Sequence, residues 1–266
     1  MGKKLGFIGA GNMAKAMMGG IIRNKIISCD EIIVSDAYAP SLKAAKESLN
    51  IETTENNLKV VEESEVVVLA VKPQYYATVI KEIKDSIKEN QIIVTIAPGQ
   101  TLERLISLFE RPVKIVRTMP NTPALVCEGI TGVCNNDLVT KDELDYVCKI
   151  LGGFGEVEVV PENLMDVVVS VSGSSPAYVY ILIEAMADAA VADGMPRDKA
   201  YKFAAQSVMG SAKMVLDTKK HPGELKDMVC SPGGTTIEAV RVLEAKGFRS
   251  AIIECMKACV KKARGL

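Results

Sequence analysis

Five short runs rich in β-branched residues alternate with stretches of helical spacing, and this rhythm constrains the chain more than any other feature. The runs are LGFIG (5–9), EIIVSD (31–36), VVVLAV (66–71), IIVTIA (92–97) and VKIVRT (113–118). Nearly unbroken apolar runs of that length read as strands buried on both faces. The segments between them, 13–24, 41–49, 75–88 and 102–109, read as helices. Strand, helix, strand in succession requires crossovers, and crossovers make a parallel sheet covered by helices on both faces. Two further strands are expected at 130–134 and 156–160. The helix between them opens on Thr140 and Glu143 at capping-box spacing and closes on Gly152 and Gly153.

From Pro161 the pattern changes. The segments 163–171, 177–193, 197–218, 235–246 and 249–263 all read as helices, and no strand is expected among them. The expected fold class is therefore α/β: a doubly wound, Rossmann-type parallel sheet over 1–161, followed by an all-helical domain over 162–266. Within the second part, PAYVYILIEAMADAAVADGMP is apolar on most faces. Such a helix needs burial on more than one side, which five helices hardly provide alone. Exchange of helices within a homo-oligomer would provide it, so this part is expected to be a dimerisation domain.

Composition narrows the functional classes. The chain has 32 basic and 33 acidic residues, and this near-balance gives no reason to expect a nucleic-acid partner. No run is read as approaching the ~18–20 apolar residues of a membrane span, so no membrane partner is expected. The opening MGKKLGFIGAGNM has glycines that fit a turn better than a signal peptide. The seven cysteines form no C-x-x-C pair, and Cys255 and Cys259 share a helix face as ordinary thiols. Reduced thiols, a cytoplasmic location and no metal are the expectation.

The chemistry begins at the end of the first strand. Gly9, Gly11 and Ala14 give G-x-G-x-x-A where a strand hands over to a helix. There the glycines permit a tight turn and a close backbone approach, and the helix start faces a pyrophosphate. Each later strand also ends in an unusual loop: Ser35–Asp36, AVKP (70–73), APG (97–99) and MPNTP (119–123). Ligands of doubly wound sheets bind outside the carboxyl ends of the strands, so five such loops on one rim point to a dinucleotide. Asp36 stands where a carboxylate accepts from the adenosine ribose hydroxyls, which tilts the expectation toward NAD(H). Lys72, immediately before a proline, reads as positional rather than catalytic. Glu184 and Asp188, four apart, read as a polar helix stripe rather than an acid/base pair, and His221 is the sole histidine.

In the helical part, SGSSPAY (172–178) and SPGGTT (231–236) place several hydroxyls, glycine and proline before a helix. Capping needs a single Ser or Thr, and each stretch is expected to supply a cap. The surplus of donors points to a second anion site, for a substrate rather than the cofactor.

Taken together, GFIGAGNMAKAM, AVKP, MPNTPALV, VSGSSPAYV and KDMVCSPGGTTIEAVRVLE resemble the pyrroline-5-carboxylate reductase family, in order and spacing, over essentially the full chain. The resemblance implies hydride transfer from NADP(H) or NAD(H) to the imine of 1-pyrroline-5-carboxylate, giving proline. It implies that Thr236 hydrogen-bonds the ring nitrogen as the catalytic group. Ser231, Gly233, Gly234 and Thr235 would hold the carboxylate, with Ser174 also at the substrate. Gly9, Ala10, Gly11, Asn12, Met13, Asp36, Asn57, Ala70, Val71, Lys72, Pro73, Ala97, Pro98 and Gly99 would line the dinucleotide, with Met119, Pro120 and Asn121 close to the nicotinamide. It also implies a homo-oligomer built from an interlocked dimer, often assembled into a decamer. Asp36 departs from the small or hydroxyl residues that many members place there. A 3-hydroxyacid dehydrogenase would need a lysine on the first helix of its second domain, and 177–193 has none. A redox-sensing binding module would have no use for the second anion site.

Overall fold

The computed structural model describes residues 3–265. The chain forms two units, one from the residues up to Ser174 together with the stretch from Val260, the other spanning Ser175–Cys259.

The first unit is built on an eight-stranded sheet. Its elements run β1 (Lys3–Ile8), α1 (Asn12–Arg23), β2 (Ile32–Ser35), α2 (Ala39–Leu49), β3 (Glu52–Thr54), α3 (Asn57–Glu63), β4 (Ser64–Leu69), α4 (Tyr76–Ile83), β5 (Ile92–Thr95), α5 (Leu102–Phe109) and β6 (Lys114–Met119). These are followed by β7 (Gly129–Asn135), α6 (Lys141–Leu151), β8 (Gly155–Val159) and α7 (Met165–Val168). The strand order is β3-β2-β1-β4-β5-β6-β7-β8, and every neighbouring pair is parallel except β6 with β7. This is the doubly wound sheet that the sequence rhythm requires. The order reverses direction between β1 and β4, which opens a crevice there.

Because successive strand residues point to opposite faces, each strand feeds two cores. Leu5 and Phe7 pack with Met17, Met18, Ile21 and Phe154 on one side. Ile8, Val67 and Leu69 pack with Tyr76, Ile80, Leu105 and Phe109 on the other. At the carboxyl ends of β4, β5 and β6 several buried polar groups are matched. The Tyr76 hydroxyl donates to the Leu69 carbonyl at 2.8 Å and lies 2.8 Å from Thr95 Oγ1, while Thr118 Oγ1 donates to the Thr95 carbonyl at 2.8 Å. Burial pushes the Tyr76 phenol up to about 12, so it remains a neutral donor. Arg117 on β6 is buried and is paired with Glu162 at 2.9 Å and Asp166 at 3.7 Å. Glu162 Oε1 also accepts from the Leu102 N–H at 2.7 Å, placing its charge at the start of α5.

Two elements of this unit escape the sequence reading. β3 is only Glu52–Thr54 at the sheet edge, with no apolar run to announce it, and α3 is capped by Asn56, whose Oδ1 accepts from Leu58 N–H at 2.9 Å. The expected helix 75–88 changes character at Ile83, where a 3-10 turn (Lys84–Ser86) takes over. The expected helix 163–171 is α7 running into a π-helical turn, Val169–Gly173. Thr140 and Glu143 do form the capping box of α6.

The second unit is all-helical among the described residues: α8 (Ser175–Ala192), α9 (Arg197–Thr218), α10 (Pro222–Val229), α11 (Thr235–Ala245) and most of α12 (Phe248–Ala263). α8 and α9 approach through small side chains, Ala187, Ala200 and Ala204, which are buried. Large apolar side chains are left outside: Ile181 is 66% exposed, Phe203 67% and Leu216 73%. α10 is not among the helices expected from the sequence; His221 Nδ1 caps it by accepting from the Gly223 N–H at 3.0 Å. The expectation that no stretch approaches a membrane span is corrected. By length and composition Glu162–Ala192, 31 residues of joined helical pieces, is apolar enough to cross a membrane. Serines, one proline and the acidic Asp166, Glu184 and Asp188 interrupt its apolar residues, so a search for unbroken runs misses it.

Candidate active site

The turn after β1 is set by Gly9, whose φ of +107° excludes ordinary side chains. A Cβ there would stand 2.6 Å from the Ala70 carbonyl oxygen, so only glycine lets β1 and β4 lie so close. Gly9 N–H donates to the Ser35 carbonyl at 2.7 Å, and Ala70 N–H to the Ile8 carbonyl at 2.8 Å. Gly11 is the N-cap of α1 with no side-chain cap, and the first turn of α1 carries no acidic residue. Its N–H groups and positive dipole end are therefore available to an anion. A Cβ on Gly11 would meet nothing within 4 Å, so the cradle is open where a pyrophosphate would approach.

A cleft of about 600 Å³ opens at the β1/β4 reversal. Of the residues assigned to the dinucleotide, Gly9, Gly11, Asp36, Asn57, Ala70, Val71 and Lys72 line it. Ile8, Ala37, Tyr38, Tyr75, Thr78, Val79 and Glu82 line it as well, and these were missed. The sequence carried a signal for four of them: Tyr75, Thr78, Val79 and Glu82 are spaced i, i+3, i+4, i+7 from the N-cap of α4 to its last turn, one face of a helix. The polar floor is cross-linked. Ser35 Oγ donates to Asn57 Oδ1 at 2.7 Å, and Asn57 Nδ2 donates to Glu82 Oε2 at 2.9 Å. Asp36 Oδ2 accepts from the Ala10 N–H at 2.7 Å and Oδ1 from the Tyr38 N–H at 2.8 Å.

The other expected cofactor residues lie outside this cleft. Ala10 and Ala97 are buried backbone supports, Asn12 and Met13 open α1, and Pro73 starts a 3-10 turn after Lys72. Pro98 and Gly99 form an exposed turn after β5. Met119 ends β6, and Pro120 and Asn121, both buried, follow it.

In the second unit, SPGGTT does not cap its helix with a hydroxyl. The N-cap of α11 is Gly234, and no side-chain cap bond is made. This corrects the expectation of a Ser or Thr cap: the chain reaches the helix through Gly233 at φ +69° and sets Gly234, which has no side chain, at the cap position. A Cβ on Gly234 would lie 2.4 Å from Ser231 Oγ, so glycine lets Ser231 fold back onto the turn. Thr235 and Thr236 form the first turn of α11. Ser174 sits in the first unit, at the end of the π-helical turn. Asp188 is ion-paired with Arg197, which accounts for it without acid/base work. Among the described residues no cluster of three His, Cys, Asp or Glu is arranged for a metal.

A doubly wound sheet with this glycine turn and rim cleft, continued by an all-helical part, defines a nicotinamide-dinucleotide oxidoreductase. Comparison with known proteins sharpens the class. The family described as pyrroline-5-carboxylate reductase dimerisation matches residues 162–266, and the NADP oxidoreductase, coenzyme F420-dependent family matches residues 4–99. The pyrroline-5-carboxylate reductase of Escherichia coli (strain K12) is 52% identical over 266 residues, covering 100% of this chain and 99% of that protein. Among solved structures, a pyrroline-5-carboxylate reductase from Coxiella burnetii superposes with a TM-score of 0.91 at 34% identity, covering 100% of this chain and 98% of that one. A Plasmodium falciparum pyrroline carboxylate reductase with NADP bound gives 0.90 at 30% identity, covering 99% and 97%. The chain belongs to the pyrroline-5-carboxylate reductase family.

Proposed function

We propose that this chain reduces 1-pyrroline-5-carboxylate to proline at the expense of NADH or NADPH. The observation that carries the reading, beside family membership, is the start of α11. There Ser231 folds back on Gly234, and Thr235 and Thr236 open a helix whose N-cap receives no side-chain bond. Free N–H groups and hydroxyls together suit a small carboxylate.

The Gly9–Gly11 turn and the free start of α1 fit the pyrophosphate of a dinucleotide, and the Asp36–Asn57 floor fits its ribose. Bound there, the reduced nicotinamide supplies a hydride. A cyclic imine protonated near neutral pH is already an electrophile, so the protein needs no strong general acid. Its contribution is orientation. Ser231, Gly233, Gly234 and Thr235 hold the substrate carboxylate, assisted by Ser174. The Thr236 hydroxyl hydrogen-bonds the ring nitrogen and keeps the imine plane fixed. The imine carbon accepts the hydride while the C=N π pair becomes the nitrogen lone pair of the product.

The working division is a dinucleotide-binding part over 1–161 and a substrate-binding, dimerising part over 162–266. The exposed apolar faces of α8 and α9 support an interlocked dimer, with a decamer as the larger assembly, in the cytoplasm. Light scattering on the purified protein tests the assembly. The function is tested by following NAD(P)H consumption on addition of pyrroline-5-carboxylate. Dinucleotide binding without any consumption contradicts it.

A further inference from the structure

Asn121 stands at the N-cap of the 3-10 turn Thr122–Val126, yet its side chain makes no cap bond there. Asparagine in that position ordinarily accepts from the N–H groups of the first turn. Here Nδ2 donates to the Ser172 carbonyl at 3.1 Å, and Oδ1 accepts from the Ile130 N–H at 3.0 Å. A carbonyl needs an N–H and an N–H needs an oxygen, so the two partners fix the amide's orientation. The side chain is only 7% exposed. One buried amide thus ties together the loop after β6, the start of β7 and the π-helical turn Val169–Gly173.

The same turn touches the β6 loop a second time. A Cβ on Gly173 would lie 2.7 Å from Met119 Cε, so the turn is seated directly on Met119. Ser174 N–H closes the turn on the Val169 carbonyl at 2.8 Å. Turns with π geometry are rare and concentrate at functional sites, and here the carbonyl of Ser172 is satisfied by a side chain from across the sheet end.

We propose that Asn121 is a positioning residue for hydride transfer: its amide holds the π-helical turn, and with it Ser174, in fixed register with the Met119–Pro120 rim. This rests on the reductase reading, in which that rim lies beside the nicotinamide and Ser174 serves the substrate. Asn121 does not line the cleft at the β1/β4 reversal, where the reductase reading seats the pyrophosphate and the adenosine ribose. Rate and affinity are therefore separable at this residue. Aspartate would keep the acceptor for Ile130 but lose the donor and set a charge against the Ser172 carbonyl. Alanine would lose both bonds.

The test uses the full chain with Asn121→Asp and Asn121→Ala, assayed with ordinary NAD(P)H and with NAD(P)H deuterated at both C4 positions. Misplacement of reacting groups by about 1 Å costs on the order of 10²-fold in rate. We expect kcat to fall by about 10- to 100-fold on that scale, dinucleotide Kd to stay near wild type, and the deuterium isotope effect on kcat to rise as transfer becomes limiting. Wild-type kcat in a folded variant overturns the proposal. So does a matching loss of dinucleotide affinity, or a loss of activity with an unchanged isotope effect that tracks the unfolded fraction. If neither variant folds, Gly173→Ala, which presses on Met119 at the same contact, must show the same split; normal kinetics there overturn the proposal. An inactive wild type removes the reductase reading and this inference with it, whereas an active wild type matched by its variants removes Asn121 alone.

Discussion

The Ala10 N–H donates to Asp36 Oδ2 at 2.7 Å, fastening the glycine turn after β1 to the end of β2. With Tyr38 N–H on the other oxygen, this carboxylate shapes the backbone of the cleft as well as setting its charge. Two consequences follow for Asp36→Ser. Loss of the charge relieves repulsion of a 2′-phosphate, so the NADPH-to-NADH ratio of kcat/KM rises. Loss of bonds to a charged acceptor, worth roughly 1.5–3 kcal/mol each, loosens the turn and lowers NADH efficiency by about tenfold or more. Steady-state kinetics with both dinucleotides measure this. An unchanged ratio removes Asp36 from cofactor selection.

Gly9 and Gly11 separate a folding role from a binding role. Gly9→Ala places a methyl on a +107° φ and 2.6 Å from the Ala70 oxygen, so it lowers stability, with backbone strain alone costing about 1–3 kcal/mol, and binding falls with it. Gly11→Ala meets no protein atom within 4 Å, so the melting temperature stays near wild type while the methyl obstructs the pyrophosphate. Thermal melts and dinucleotide titrations of both variants check the contrast. Normal dinucleotide affinity in Gly11→Ala would place the phosphates elsewhere.

For Thr236→Ala, turnover falls by about 10- to 100-fold, the worth of one hydrogen bond to a charged group, while dinucleotide affinity holds. Thr236 is not needed as a cap, because Gly234 occupies that position. Wild-type turnover in the variant would leave the hydroxyl with no part in the reaction.

Acid weakens the sheet unit through its paired carboxylates. The hydrogen bond from Lys4, helped by Ser28, brings Glu31 from the usual 4.5 down to about 2. Lys3 and Lys59 lower Glu52, and Lys114 lowers Glu143. For Glu31 the unfolded carboxylate takes up a proton near 4.5 that the folded one refuses until about 2, so its contribution is complete above 4.5 and lost as pH falls toward 2. Denaturant titrations at pH about 6, about 4 and about 3 are expected to show falling stability, with a shallower fall in Glu31→Gln. An identical slope in that variant would show that Glu31 contributes nothing.

The α/β rhythm was legible because buried parallel strands are apolar on consecutive residues, as β1, β2, β4 and β5 are, whereas β6 joins only Ile115 and Val116 before the buried Arg117. β3 was not legible, since its three residues at the sheet edge bury little. The glycine turn and Asp36 could be read from motif and position. The α4 side of the cleft was overlooked because Thr78 and Glu82 look like ordinary surface residues until the helix is placed over the crevice. The role of Asn121 was hidden for another reason. Its two partners are backbone groups of residues 130 and 172, and backbone partners leave no trace in side-chain pattern.

The account turns on one event, delivery of a hydride to an imine carbon. Incubation of the enzyme with NAD(P)H carrying deuterium at both C4 positions and pyrroline-5-carboxylate, with mass and magnetic-resonance analysis of the product, observes it directly. We predict one deuterium in each proline, on the ring carbon that is next to nitrogen and bears no carboxylate. Proline without deuterium, or no proline while the dinucleotide still binds, contradicts the account.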